Sequence, residues 1–64
     1  MRTSARDERL LAEIADYLDM LAADCEAFAA RGIGSRLRNR ARAQAFRDAA
    51  EDVRSIEIIK EAAQ

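Results

Sequence analysis

Arg31-Gly32-Ile33-Gly34-Ser35-Arg36 lies at the middle of this 64-residue chain, and its reading decides the fold. Its two glycines are the only two in the chain, and there is no proline. Gly32 fits the left-handed position just past a helix end. Ile33 then falls where a Schellman ending wants an apolar residue, with Phe28 as its expected contact. Ser35 is a good N-cap for the helix that follows. A turn confined to residues 32–34 is short enough to force its two helices antiparallel. The competing reading is one long coiled-coil helix kinked at this point. Two glycines and a serine cap make a poor helix interior, so the hairpin is preferred.

Working outward, the first helix is expected over about residues 5–31. Ser4 and Asp7 have the spacing of a capping box, with Asp7 in place of the usual Glu. Asp7 and Glu8 put negative charge at the positive end of the helix dipole. Leu11, Ile14, Leu18, Leu21, Cys25 and Phe28 recur at three- and four-residue steps, which predicts an a/d seam. The second helix is expected over about residues 36–62. Its apolar positions are Ala41, Ala45, Phe46, Ala49, Val53, Ile56 and Ile59. Folding about Ile33 pairs residues whose numbers sum to roughly 66. Cys25 is then expected to meet Ala41, and Leu21 to meet Ala45. Large residues on one helix would face small ones on the other. Asn39 and Lys60 interrupt the second seam, as register-setting residues or as the frayed limits of the core.

A second apolar set is left over. Leu10, Tyr17 and Met20 flank the first seam, and Phe46, Val53 and Ile58 flank the second. A chain this short has few ways to stabilise itself. One cysteine excludes an internal disulfide, and a lone cysteine without histidine excludes a structural zinc site. Burying side chains of this size stabilises by about 1.5–3 kcal/mol each. The expected fold class is therefore all-α: an antiparallel helical hairpin that dimerises into a four-helix bundle. Its dimer or partner interface is expected at Leu10, Tyr17, Met20, Phe46, Val53 and Ile58.

Charge is split along the chain. Ten of the eleven basic residues are arginine, the net charge is −1, and the first half is acidic while the second is basic. Arg31, Arg36, Arg38, Arg40, Arg42 and Arg47 occur with no acid between Arg31 and Arg47. Positive charge at a helix N-terminus is locally unfavourable, so an anion is expected nearby. The internal answer is pairing with Asp24 and Glu26 at the end of the first helix. The external answer is a phosphate or carboxylate held by the arginine forks and free N–H groups. No aromatic residue interleaves with these arginines, which argues against a base-stacking platform.

Other chemistry is thinly represented. Cys25 reads as a small buried hydrophobe, because no histidine is present to activate it. Glu13, Asp16 and Asp19 form an i, i+3 ladder, and Asp48, Glu51 and Asp52 a second acidic cluster. Both read as solvated faces, since metal-binding bundles place carboxylates inside and add histidine. No catalytic residue, metal or cofactor is expected, and the protein is not expected to be an enzyme. No run reaches the apolar length of a membrane span, and a cytoplasmic setting follows as the default. The expected task is that of a non-catalytic protein–protein interaction module acting as a homodimer. Small inhibitors, anti-activators and adaptors of larger bacterial proteins, of phage or plasmid type, share this size and shape. The alternative is RNA or phosphorylated-nucleotide binding through the arginine-rich turn. In architecture alone the expected dimer resembles the plasmid repressor-of-primer proteins, helical hairpins that pair and bind RNA loops; the chain carries no sequence motif in common with them.

Overall fold

The computed structural model describes the backbone of residues 4–62 and the side chains of residues 4–56. It contains two helices, α1 (Ala5–Arg31) and α2 (Arg36–Ala62), which pack against each other as an antiparallel hairpin. Three of the helix ends are set by named local interactions. Ser4 is extended, and its hydroxyl accepts the Asp7 N–H at 3.1 Å. Gly32 sits at φ 71°, ψ 21° and closes α1. Its N–H donates to the Ala29 carbonyl at 3.2 Å, and the Ile33 N–H donates to Phe28 at 2.9 Å. Those two bonds are the Schellman pair, and they satisfy carbonyls the helix would otherwise orphan. Gly34 is also left-handed, at φ 69°. Ser35 then caps α2, accepting the Arg38 N–H at 3.2 Å. The reading of one kinked helix is excluded.

Asn39 completes the turn. Its Nδ2 donates to the Ile33 carbonyl at 2.8 Å, across the bend from the first full turn of α2. The residue that breaks the apolar pattern of α2 is thus the one that ties the turn to the helix. Lys60 and Ile58 fall outside the described side chains.

The interface between the helices differs from the expected seam. Among the described residues, those that are buried are Ala15, Ala22, Cys25 and Ala29 on α1 and Ala43 and Ala50 on α2. Among the described residues no large side chain is fully buried. Ile14 and Phe28, expected at the centre, are 49% and 44% exposed, while Leu11, Leu18 and Leu21 are half-buried. Cys25 packs with Ala22 and Ala43, and Phe46 lies against this cluster. Ala41 and Ala45, the expected partners of Cys25 and Leu21, are exposed. The contact row of α1 is thus 11-15-18-22-25-29, rotated by roughly 50° from the expected row at 100° per residue.

The physical reason is the width of the apolar stripe. It holds two heptad rows, 11-15-18-22-25-29 and 10-14-17-21-24-28, the second interrupted by the exposed Asp24. The run of leucines and isoleucines reads down the line between them. Alanine at the actual contact lets two backbones approach near the close end of the usual 8–10 Å range. Leucine there would hold them apart.

Candidate interaction surfaces

The hairpin is a slab with principal extents of 47 × 19 × 10 Å. Its two broad faces have different chemistry. On one face the acidic flank of α1 meets a line of arginines on α2. Arg54 donates to Asp19 at 2.7 Å and to Asp16 at 3.1 Å, and Arg47 pairs with Glu26. The Arg54 guanidinium is held above its ordinary pKa, first by the hydrogen bond to Asp19. These are surface pairs, with side chains roughly half exposed and Asp16 more so, and solvent screening leaves them a small share of the stability.

The pairs follow a register. Arg54 and Arg47 are seven residues apart, as are Asp19 and Glu26. The next step along the same line brings Arg40 opposite Ile33, where no acid stands. The ladder therefore ends short of the turn. Arg47 leaves the sequence-predicted group of six as a partner of Glu26. Arg31, Arg36, Arg38, Arg40 and Arg42 are all exposed, and none forms an ion pair among the described residues. By helical phase, Arg36 and Arg40 continue the ion-pair face, while Arg38 and Arg42 lie on the opposite one. They ring the tip rather than forming a strip.

A groove of about 280 Å³ opens at the other end of the ion-pair face, lined by Glu8, Leu11, Ala12, Asp16, Val53 and Arg54. It is slightly smaller than the usual ligand site, and its one cation is already held by carboxylates. Of the acids read as a solvated ladder, Asp16 and Asp19 are thus the seats of Arg54. Sequence reasoning missed this, because finding it requires the register between the two helices.

The opposite face is apolar. Leu10, Ile14, Tyr17 and Phe28 are 47%, 49%, 57% and 44% exposed there, and Leu21 is half-buried beside them. From α2 the half-buried Phe46, Ala49, Val53 and Ile56 join them. The row 10-14-17-21-28 is centred roughly 90° from the row that contacts α2. Of the predicted interface residues, Leu10 and Tyr17 are brought together on this face. Phe46 and Val53 sit at its inner edge, with Phe46 already packed within the hairpin. Met20 is 50% exposed but points to the outer side of α1. Ile58 is outside the described side chains. Ile14, Leu21 and Phe28, expected in the hairpin seam, belong to this face. Cys25 is free and buried.

What fold and surfaces define together is a two-helix, all-α hairpin with one apolar face and one charged face. Among the described residues, no helix is long and apolar enough to cross a membrane. Comparison with protein-family models, curated proteins and solved structures finds no match.

Proposed function

We propose that the protein is a non-catalytic protein–protein interaction module that works as a homodimer. The observation that carries this reading is the composition of the interior. What the described hairpin buries is five alanines and one cysteine, while Leu10, Ile14, Tyr17 and Phe28 line an open face. A buried methyl contributes about 0.8 kcal/mol, against about 1.5–3 kcal/mol for a Leu, Ile or Phe side chain. Most of the available apolar stabilisation is therefore unused in one copy. The geometry suits a four-helix bundle. In a square bundle each helix touches two neighbours at right angles about its own axis, and α1 carries two heptad rows roughly 90° apart.

Pairing through the apolar face leaves the ion-pair face on the outside, together with Arg36 and Arg40, the tip arginines that continue it. Those surfaces suit docking to a larger protein, which the module would inhibit or bridge. Sedimentation equilibrium is expected to give a dimer at micromolar concentration, and affinity capture at moderate salt to recover a defined protein. A compact, stably folded monomer would overturn the dimer, and capture of nucleic acid alone would overturn the protein partner.

A second reading rests on a separate observation, the end of the ion-pair ladder before Arg40. Five arginines without an ion pair among the described residues, Arg31 at the end of α1 and four in the first two turns of α2, suit RNA or a phosphorylated nucleotide, since charge and free N–H groups act together there.

A further inference from the structure

We infer that the occupant of the apolar face is a second copy of this chain, seated α1 on α1 with the two turns at opposite ends of the bundle. This rests on the homodimer reading and adds its direction. The broad face, 47 × 19 Å between Cα extents, matches the roughly 800 Å² that each partner contributes to a specific interface. Burial of that face does not choose a direction. Turns together and turns opposite cover the same side chains, and apolar burial is non-directional.

Charge chooses. Residues 27–47, which form the turn end, hold six arginines and no acid. Residues 5–26 hold seven acids and two arginines, and residues 48–62 hold five acids, one arginine and one lysine. The hairpin is thus positive at its tip and negative towards its open end. Internal pairing relieves little of this, because the ladder formed by Arg54 and Arg47 stops before the tip. With the turns together, two tips of five unpaired arginines would lie side by side, and two acidic ends likewise. With the turns opposite, each tip lies over the acidic end of the other copy, and both juxtapositions become attractive. Like-charge contact across an interface is the costlier arrangement. Of the tip arginines, Arg38 and Arg42 share the helical phase of Ala49, Val53 and Ile56 on the paired side of α2, so they are the charges that turns together would oppose and turns opposite would relieve, more strongly at low salt.

The row on α1 accepts this direction. Its midpoint falls between Tyr17 and Leu21, where the two-fold axis would cross. Leu10 of each copy then meets Phe28 of the other, Tyr17 meets Leu21, and Ile14 lies beside Asp24, the one charged position of the row.

The test uses the full chain with Cys25→Ala and Arg36→Cys, spin-labelled at the introduced thiol, alongside sedimentation of the unmodified protein at 50 and 500 mM NaCl. Opposite turns place the two labels about 40 Å apart, the length of a 27-residue helix. They also make dimerisation weaker in high salt, by about tenfold. An inter-label distance below about 25 Å, or a dimer that tightens with salt, overturns this direction while leaving the homodimer intact. A monomer in the sedimentation arm overturns both. Should the labelled variant fail to fold, the salt series on the unmodified chain decides alone.

Discussion

Ile14 and Ala15 are neighbours in α1 with opposite fates: Ala15 is completely buried against α2, while Ile14 is 49% exposed. One step of 100° separates the hairpin contact from the open face. The two positions should therefore respond oppositely to substitution. Ala15→Leu or Ala22→Leu forces a large side chain between closely spaced backbones, and should destabilise by about 1–3 kcal/mol. Denaturant unfolding at a fixed protein concentration measures it. No loss, or a gain, at both sites would show that the alanine contact does not set the spacing of the helices.

Ile14→Asp should leave the hairpin contact untouched and disrupt the open face. For a dimer the unfolding midpoint rises with protein concentration, because association acts only on the folded form. The parent chain is expected to show that rise between micromolar and hundreds of micromolar, and the Ile14→Asp variant to lose it and sediment as a monomer. Leu37→Asp is the control. Leu37 is 80% exposed and lies off the face, so its substitution should change neither quantity. Equal effects at the two sites would dissociate the apolar face from self-association.

The ends of the helices were legible in the residues, and their contact was not. Ser4, Gly32 and Ser35 act through bonds that span three to five residues, so each could be read without knowing the fold. The contact row depends on which part of a wide apolar stripe meets the other helix. Hydrophobic periodicity is dominated by the largest side chains, and here those are divided between the two contacts, so their average direction falls between them. The Arg54 pairs with Asp16 and Asp19 were hidden for the same reason. They span 38 and 35 positions, and only the register of the hairpin brings them together. The arginine tip could be seen from sequence, whereas its isolation from internal acids followed only once Glu26 was found to take Arg47.

The turn makes a prediction of its own. Gly32 and Gly34 hold φ values of 71° and 69°, a region that costs an L-residue roughly 1–2 kcal/mol. A Cβ at either position would meet its nearest heavy atom at 3.7 Å, an ordinary contact. The cost of Gly32→Ala or Gly34→Ala is therefore backbone strain alone, and an asparagine at either site should recover part of it. Asn39→Ala removes the bond to the Ile33 carbonyl and should cost about 1 kcal/mol. Thermal unfolding followed by circular dichroism measures all of these. An Asn39→Ala variant as stable as the parent would remove that side chain from the account of the turn.

Arg38 and Arg42 separate the two functional readings. Both are exposed, neither forms an ion pair among the described residues, and neither supports the alanine contact. The double variant Arg38→Ala, Arg42→Ala should therefore keep the helical signal of the parent. If the tip binds RNA or a phosphorylated nucleotide, the variant should lose most of that binding. The salt dependence of what remains should be shallower, by about one unit of slope for each phosphate contact removed. Arg47→Ala provides the contrast. It breaks the pair with Glu26 at a cost of about 1 kcal/mol or less, and should leave nucleic-acid affinity nearly unchanged. Filter binding or fluorescence anisotropy across a salt series reads both. A double variant that binds RNA and nucleotides as well as the parent does would exclude Arg38 and Arg42 as the anion-binding pair, and shift the weight to the protein–protein reading.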